Sequence, residues 1–318
     1  MKNDNYFSTL IEKTKSNKNT VLPVITILLV IIIFQTINPV FLKAQGRITL
    51  VYSMSYFLIA ALGLTFVVMM GSFDFSIVSL LKLSALICGL YINKFGLWVI
   101  PLAILVCVCF GFVSGFLFAK LKVPSFIATL GISLVAEGIA LLLSKGHLLM
   151  ITNSSFRKLA VTFIGGIPAV FYWAVGICIV STLIAFILPF GRRVFAIGEN
   201  AKAASMSGIN VDRTRIYVFM LSGFFCGIAG VLYMAQMGGG SVGLGADMMI
   251  PLFASVVAGG TALTGGVGGP HRTFFGAIII TWTESGMLMN GASRGMQVVV
   301  LGIMAIIMSI ATLNKSRI

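Results

Sequence analysis

ITLVYSMSYFLIAALGLTFVVMM, residues 48–70, decides the fold, being twenty-three residues long with no charge among them. Coiled as a helix it reaches about 34 Å, enough to cross the roughly 30 Å hydrocarbon core of a bilayer. The same ruler marks further mainly apolar segments at 21–38, 76–93, 96–118, 125–145, 168–190, 214–237, 247–262, 272–290 and 294–313. Segment 76–93 holds Lys82, and segment 247–262 is short and bounded by glycines, so eight or nine spans is the alternative to ten. The predicted class is all-α, a polytopic transmembrane helical bundle of about ten spans. One transmembrane domain over 21–313 is flanked by tails at 1–20 and 314–318.

Composition agrees with this reading. Hydrophobic residues make up 58% and charged residues 9%, with a mean hydropathy of +1.08. That excludes a soluble globular domain, which carries about a quarter charged residues. The net charge of +14 comes from basic residues standing singly or in pairs between apolar segments. Such spacing fits topology signals in a lipid bilayer better than a nucleic-acid patch, and no nucleic-acid partner is expected. Cys88, Cys107, Cys109, Cys178 and Cys226 all fall in apolar runs and are odd in number. They read as small core residues, with neither a disulfide framework nor a metal site. The polar first twenty residues end in Lys13, Lys15 and Lys18, and the apolar run Val21 to Phe34 follows without a small-x-small cleavage site. An uncleaved first span is predicted.

With the amino terminus inside, the inner segments and their flanks carry Lys2, Lys13, Lys15, Lys18, Lys120, Lys122, Arg192, Arg193, Lys202, Arg213, Arg215, Arg272, Lys315 and Arg317. The outer side carries half as many, Lys43, Arg47, Lys94, Lys145, Arg157, Lys158 and Arg294. The bias places both termini in the cytoplasm. It also places there the long polar interruption Gly191 to Arg215, which has a local charge of +3. Its Ala-rich middle, Glu199 to Met206, favours a short exposed helix that Gly208 ends. Either a soluble cytoplasmic partner grips that helix, or it is an ordinary solvated loop.

Lys82, Glu137 and Glu284 lie within predicted spans, where each costs roughly 2.5–3.5 kcal/mol facing lipid. They should therefore face the bundle interior, water or one another. Asp74 is placed to cap the third helix through Ser76. Glu284 shares a helix with Thr281, Trp282 and Asn290, a polar and aromatic wall of the kind a hydroxylated ligand needs. Eleven glycines between Gly238 and Gly269 suit tight turns and close helix packing, or the lining of a passage. No Gly-x-x-x-x-Gly-Lys-Ser/Thr pattern occurs. His147 and His271 fall on opposite sides of the predicted membrane, so no catalytic or metal-binding set is expected. The sequon at Asn153 is too short a pattern to carry weight.

The loop GRRVFAIGEN at 191–200, with Ala203-Ala204 and Ser207-Gly208-Ile209 after it, resembles a signature of the inner-membrane permease subunits of simple-sugar ABC importers, the ribose/xylose/galactoside branch. Four more blocks are similar in the same order: GSFDFS at 71–76, VPSFIATLG at 123–131, Ser222-Gly223 with Gly227 to Gly230, and VAGGTALTGG at 257–266. The resemblance covers about residues 45 to 310.

It implies a dimerising permease without ATPase activity or cofactor of its own. A separate ATP-binding subunit, an extracytoplasmic substrate-binding protein and a second permease copy or paralogue are its implied partners. Gly198, Glu199, Asn200, Ala203, Ala204, Ser207, Gly208 and Ile209 would form the coupling element. Asp74, Lys82, Glu137, Thr281, Trp282, Glu284 and Asn290 are the candidate translocation pathway. Phe75 through Ser79, Lys82, Glu137 and Glu284 depart from the family pattern and alter charge along the inner surface. The expected cargo is a monosaccharide or small polyol. Another small solute carried by a related permease, or an ion-coupled secondary transporter, is the rival.

Overall fold

The computed structural model describes residues 18–312, apart from 242, 244 and 246. The predicted tail 314–318 and the predicted tail 1–20 up to residue 17 lie outside the described residues. The helices run α1 Lys18–Ile37, α2 Ala44–Met69, α3 Ile77–Phe95, α4 Val99–Ala119, α5 Ser125–Ser144, α6 Ser154–Val161 and α7 Ala169–Phe186. They continue as α8 Pro189–Met206, α9 Val211–Met237, α10 Met249–Ala258, α11 Pro270–Met289 and α12 Arg294–Thr312. The protein is an all-α bundle. Two small antiparallel pairings decorate it, Leu149–Met150 with Gly239–Gly240 and Phe163–Ile164 with Ile167–Pro168.

Helices occupy the predicted apolar segments, but not all are long and apolar enough to cross a membrane by themselves. Among the described residues five stretches qualify: 44–69, 77–119, 125–144, 169–186 and 211–237. The second of these is two helices, because Gly96 at φ +62° turns the chain and a single 3-10 turn, Gly96–Trp98, joins α3 to α4. Trp98 is 85% exposed there, where an amphipathic ring suits a membrane interface. The predicted segment 247–262 is shorter than expected. Its helix, α10, has ten residues and reaches about 15 Å, half a bilayer. Glycines at 259 and 260 stop it early.

α2 and α9 form the centre, with 78% of their apolar windows buried, against 28% for α5 and α7. α9 approaches α4 closely enough that an added Cβ at Gly111 or Gly223 would collide with the opposite backbone. Lipid gives no hydrophobic drive between helices, so this contact of small residues is what holds them.

The connections sort to two ends. At the basic end, Lys120 and Lys122 both reach Asp212, at 3.2 and 2.9 Å. The Gly266 N–H there donates to Met69 O at 2.9 Å. At the opposite end Asn38 Nδ2 donates to Met289 O, Asn93 Nδ2 to Met150 O, and Arg294 Nε to Asp247. His147 and His271 stand at opposite ends. Asn153 caps α6 by accepting from Phe156 N, which gives the sequon asparagine a structural task.

Candidate coupling and translocation sites

α8 breaks at Asn200, whose φ of −157° and ψ of 103° leave the helical region. The freed Oδ1 accepts from the amides of Lys202 and Ala203, each at 3.0 Å, and so caps a fresh turn over residues 201–206. Gly208 at φ +84° ends it, and Asn210 caps α9 through Arg213 N. The expected short helix is present, starting two residues later than predicted because Asn200 serves as cap. Lys202, Ala203, Ser205 and Met206 point outward, and Met206 is 83% exposed. Ala204, expected in the coupling element, is 5% exposed and seats the helix on the bundle. Met206 was missed by the motif, although a lone large apolar residue among Ala and Ser was visible in the sequence.

Just before the break, Gly198 is wedged between two other chain segments. A Cβ on it would run into Met69 O and Gly266 N, the two atoms of the hydrogen bond between the end of α2 and the glycine loop. Gly265, at φ +84°, lies against Gly71 and Gly198 in turn. Three segments thus meet backbone to backbone: α8 just before its break, the α2–α3 linker, and the loop after α10. Side chains are excluded there, and the three backbones pack without a gap between them.

Residues 70–76, between α2 and α3, are non-helical yet packed inside the bundle. Their freed polar groups are met by side chains, as apolar surroundings require. Phe73 N donates to Ser125 Oγ at 3.2 Å and Phe75 N to Thr129 Oγ1 at 3.0 Å. Further along, Ser79 and Ser133 hydroxyls share a hydrogen bond of 2.6 Å, and Lys82 Nζ meets Glu137 Oε1 at 2.8 Å. Ser125, Thr129, Ser133 and Glu137 recur every fourth residue, a stripe along one side of α5. Two of the intramembrane charges expected to face the interior, water or one another therefore face each other. Asp74, 1% exposed, accepts from Ser76 N and Oγ at 2.9 and 2.6 Å and from Ser222 Oγ at 2.8 Å. It holds the start of α3, as expected, and also ties it to α9. Ser222→Ala leaves one carboxylate oxygen unpaired and should lower stability by about 1–3 kcal/mol. Thermal denaturation of the detergent-purified variant measures this, and an unshifted transition would remove Ser222 from the account.

At the opposite end a cavity of about 480 Å³ opens between α2, α9, α11 and α12. Thr281, Glu284, Ser285 and Leu288 line it, the i, i+3, i+4, i+7 face of α11. Trp282 and Asn290, expected in the same wall, do not line it. One residue on from Thr281 is about 100° round the helix, which turns Trp282 away. Asn290 donates from Nδ2 to Gly286 O at the end of α11. Glu284 binds Arg294, which also reaches Asp247 at 3.2 Å and Gln297 Oε1 at 3.0 Å. The wall supplied by α2 and α9 was not anticipated; it carries Tyr56 and Tyr233, with ring centroids 4.4 Å apart. At the basic end His271 lies edge-on to Phe186.

A helical bundle with small residues between its helices, spans long enough to cross a bilayer and charges within its apolar segments held in ion pairs is a multi-pass membrane protein. The family described as branched-chain amino acid transport system / permease component matches residues 46–309, and the chain belongs to it. The chain is similar to the ribose import permease protein RbsC of Bacillus subtilis (strain 168), 31% identical over 298 residues that cover 92% of each chain. It is 30% identical to the ribose import permease protein RbsC of Escherichia coli (strain K12) over 305 residues, 92% of this chain and 93% of the relative. The L-arabinose transport system permease protein AraH of the same strain is 31% identical over 245 residues, 76% of this chain and 75% of the relative. No solved structure matches the chain significantly. The protein is a permease of the bacterial cytoplasmic membrane.

Proposed function

We propose that this chain is the membrane subunit of an ATP-driven importer for a monosaccharide or related small polyol. The observation that carries the reading is the capped helix at 201–206, held outside the bundle with Met206 bare and anchored through Gly198 to the transmembrane core. In this reading the basic end is cytoplasmic, the chain crosses the membrane about ten times with α10 as a half-length element, and both termini are inside. An ATP-binding subunit grips the helix, and a substrate-binding protein delivers solute at the opposite end. A second permease copy or a paralogue covers the face of α5 that carries Glu137. That side chain is 41% exposed in the single chain, and lipid contact there would cost roughly 2.5–3.5 kcal/mol.

Two of the three arms of the glycine junction lead to phenylalanine. The α2–α3 linker carries Phe73 and Phe75, and α10 carries Phe253, with ring centroids 5.3–6.5 Å apart. Nucleotide binding outside and solute delivery opposite shift the bundle between states by their affinity difference for each. The junction passes that shift to the aromatic cluster, which opens or closes the route. Asp74, Glu137 and Glu284 are all engaged by hydroxyls or a cation, an arrangement that supports ATP drive over ion coupling.

Reconstitution with the ATP-binding subunit and binding protein tests this. Accumulation of D-ribose or L-arabinose should require ATP and survive a protonophore; uptake by the permease alone, abolished by the protonophore, overturns it. Met206→Glu should weaken co-purification of the ATP-binding subunit roughly tenfold or more, since burying such a side chain is worth about 1.5–3 kcal/mol. Undiminished association would show that Met206 is not part of the contact.

A further inference from the structure

We propose that the 480 Å³ cavity at the opposite end is a saccharide-binding site of the permease itself, built for a neutral, polyhydroxylated ring. The proposal rests on the importer reading and adds to it a binding site for that substrate class within the permease itself, apart from any delivery protein. The cavity falls within the roughly 300–1,000 Å³ of small-molecule sites.

Its charges are what select. Arg294, the cation lining it, is already committed: Nη1 to Glu284 and to Gln297 Oε1, Nε to Asp247. Two carboxylates against one guanidinium leave the lining with a net negative charge. A ligand carboxylate or phosphate would meet no free counter-ion, and a zwitterionic amino acid could not anchor its carboxylate. Hydroxyl groups need no counter-ion and use donors and acceptors together. Glu284 gives Oε1 to Arg294, while its Oε2 makes no hydrogen bond among the described residues. The Ser53 and Ser285 hydroxyls, joined at 3.1 Å, can each turn to a ligand. The Tyr56–Tyr233 pair supplies an aromatic wall for the C–H side of a sugar ring, with phenol hydroxyls at its edge.

The test uses full-length permease in nanodiscs without its partners. Saturation-transfer NMR would be recorded with D-ribose, L-arabinose and L-leucine, each up to 20 mM or about the weak end of ligand binding. Saturable binding of a pentose and none of leucine is expected. Tyr233→Ala should weaken pentose binding at least tenfold. Glu284→Gln, which keeps shape and so guards against a folding artefact, should weaken it to a similar extent by replacing a charged acceptor with a neutral one. The same change balances the charge of the lining, and D-ribonate, excluded by the wild type, should then bind. Leucine binding without pentose binding, no binding of any of the three, or pentose binding indifferent to both substitutions would overturn the proposal. The importer reading is judged separately by ATP-dependent uptake in the reconstituted complex, so a permease that transports a pentose yet fails to bind it alone removes only the site.

Discussion

Gly198→Val should reduce ATP-driven uptake at least a hundredfold while the ATP-binding subunit still co-purifies. The added side chain enters the space between Met69 O and Gly266 N, so it breaks the hydrogen bond that closes the junction. No rotamer change relieves a collision with backbone. Overpacking of this kind costs about 1–3 kcal/mol, and the unmade backbone pair a comparable amount again. The α2–α9 core lies elsewhere and the helix at 201–206 keeps its Asn200 cap, so the chain should insert and still present Met206. What is lost is the transmission of movement, so ATP hydrolysis by the assembled complex should continue without solute accumulation. Gly302→Ala is the control, since a Cβ there meets nothing within 4 Å. Wild-type accumulation by Gly198→Val in proteoliposomes would show that force does not pass through this junction.

The second large effect concerns the ion pair of the buried Lys82 with the half-exposed Glu137. Lys82 is 4% exposed, and removing Glu137 strands its ammonium in an apolar bundle, at a cost of about 3–5 kcal/mol. Glu137→Leu should therefore yield protein that aggregates when extracted. Lys82→Met should be milder, because a carboxyl that loses its cation and is only half-buried can take up a proton and become neutral. The double substitution should recover most of the loss, since a well-packed apolar pair often replaces a buried salt bridge without penalty. Size-exclusion profiles and thermal unfolding in detergent give the ranking. A double variant no better than Glu137→Leu would mean that the two residues are not coupled.

Several features of the site were legible in the chain. Asp74, Lys82, Glu137 and Glu284 stand out because each is a charge in an apolar run. The four-residue spacing of Ser125, Thr129, Ser133 and Glu137 was readable too, but a polar stripe on a helix does not say which helix it faces. The partners were out of reach: Ser222 is 148 residues from Asp74, and Lys82 is 55 from Glu137. Trp282 and Asn290 were misplaced for a related reason, because neighbours in sequence diverge by about 100° around a helix and only packing fixes which arc meets the cavity.

Sequence alone determined that this is a helical membrane bundle, where its polar loop falls, and that the short helix in that loop stops at Gly208. Those properties depend on local composition, charge bias and the backbone preference of Gly208. Tertiary structure decided that α10 stops half way, that three distant segments join at Gly198, and that Tyr56 and Tyr233 meet across from Glu284. The physical reason is that apolar periodicity in a spanning helix is nearly uniform round its circumference, so rotation and register are set by which small residues let two backbones touch.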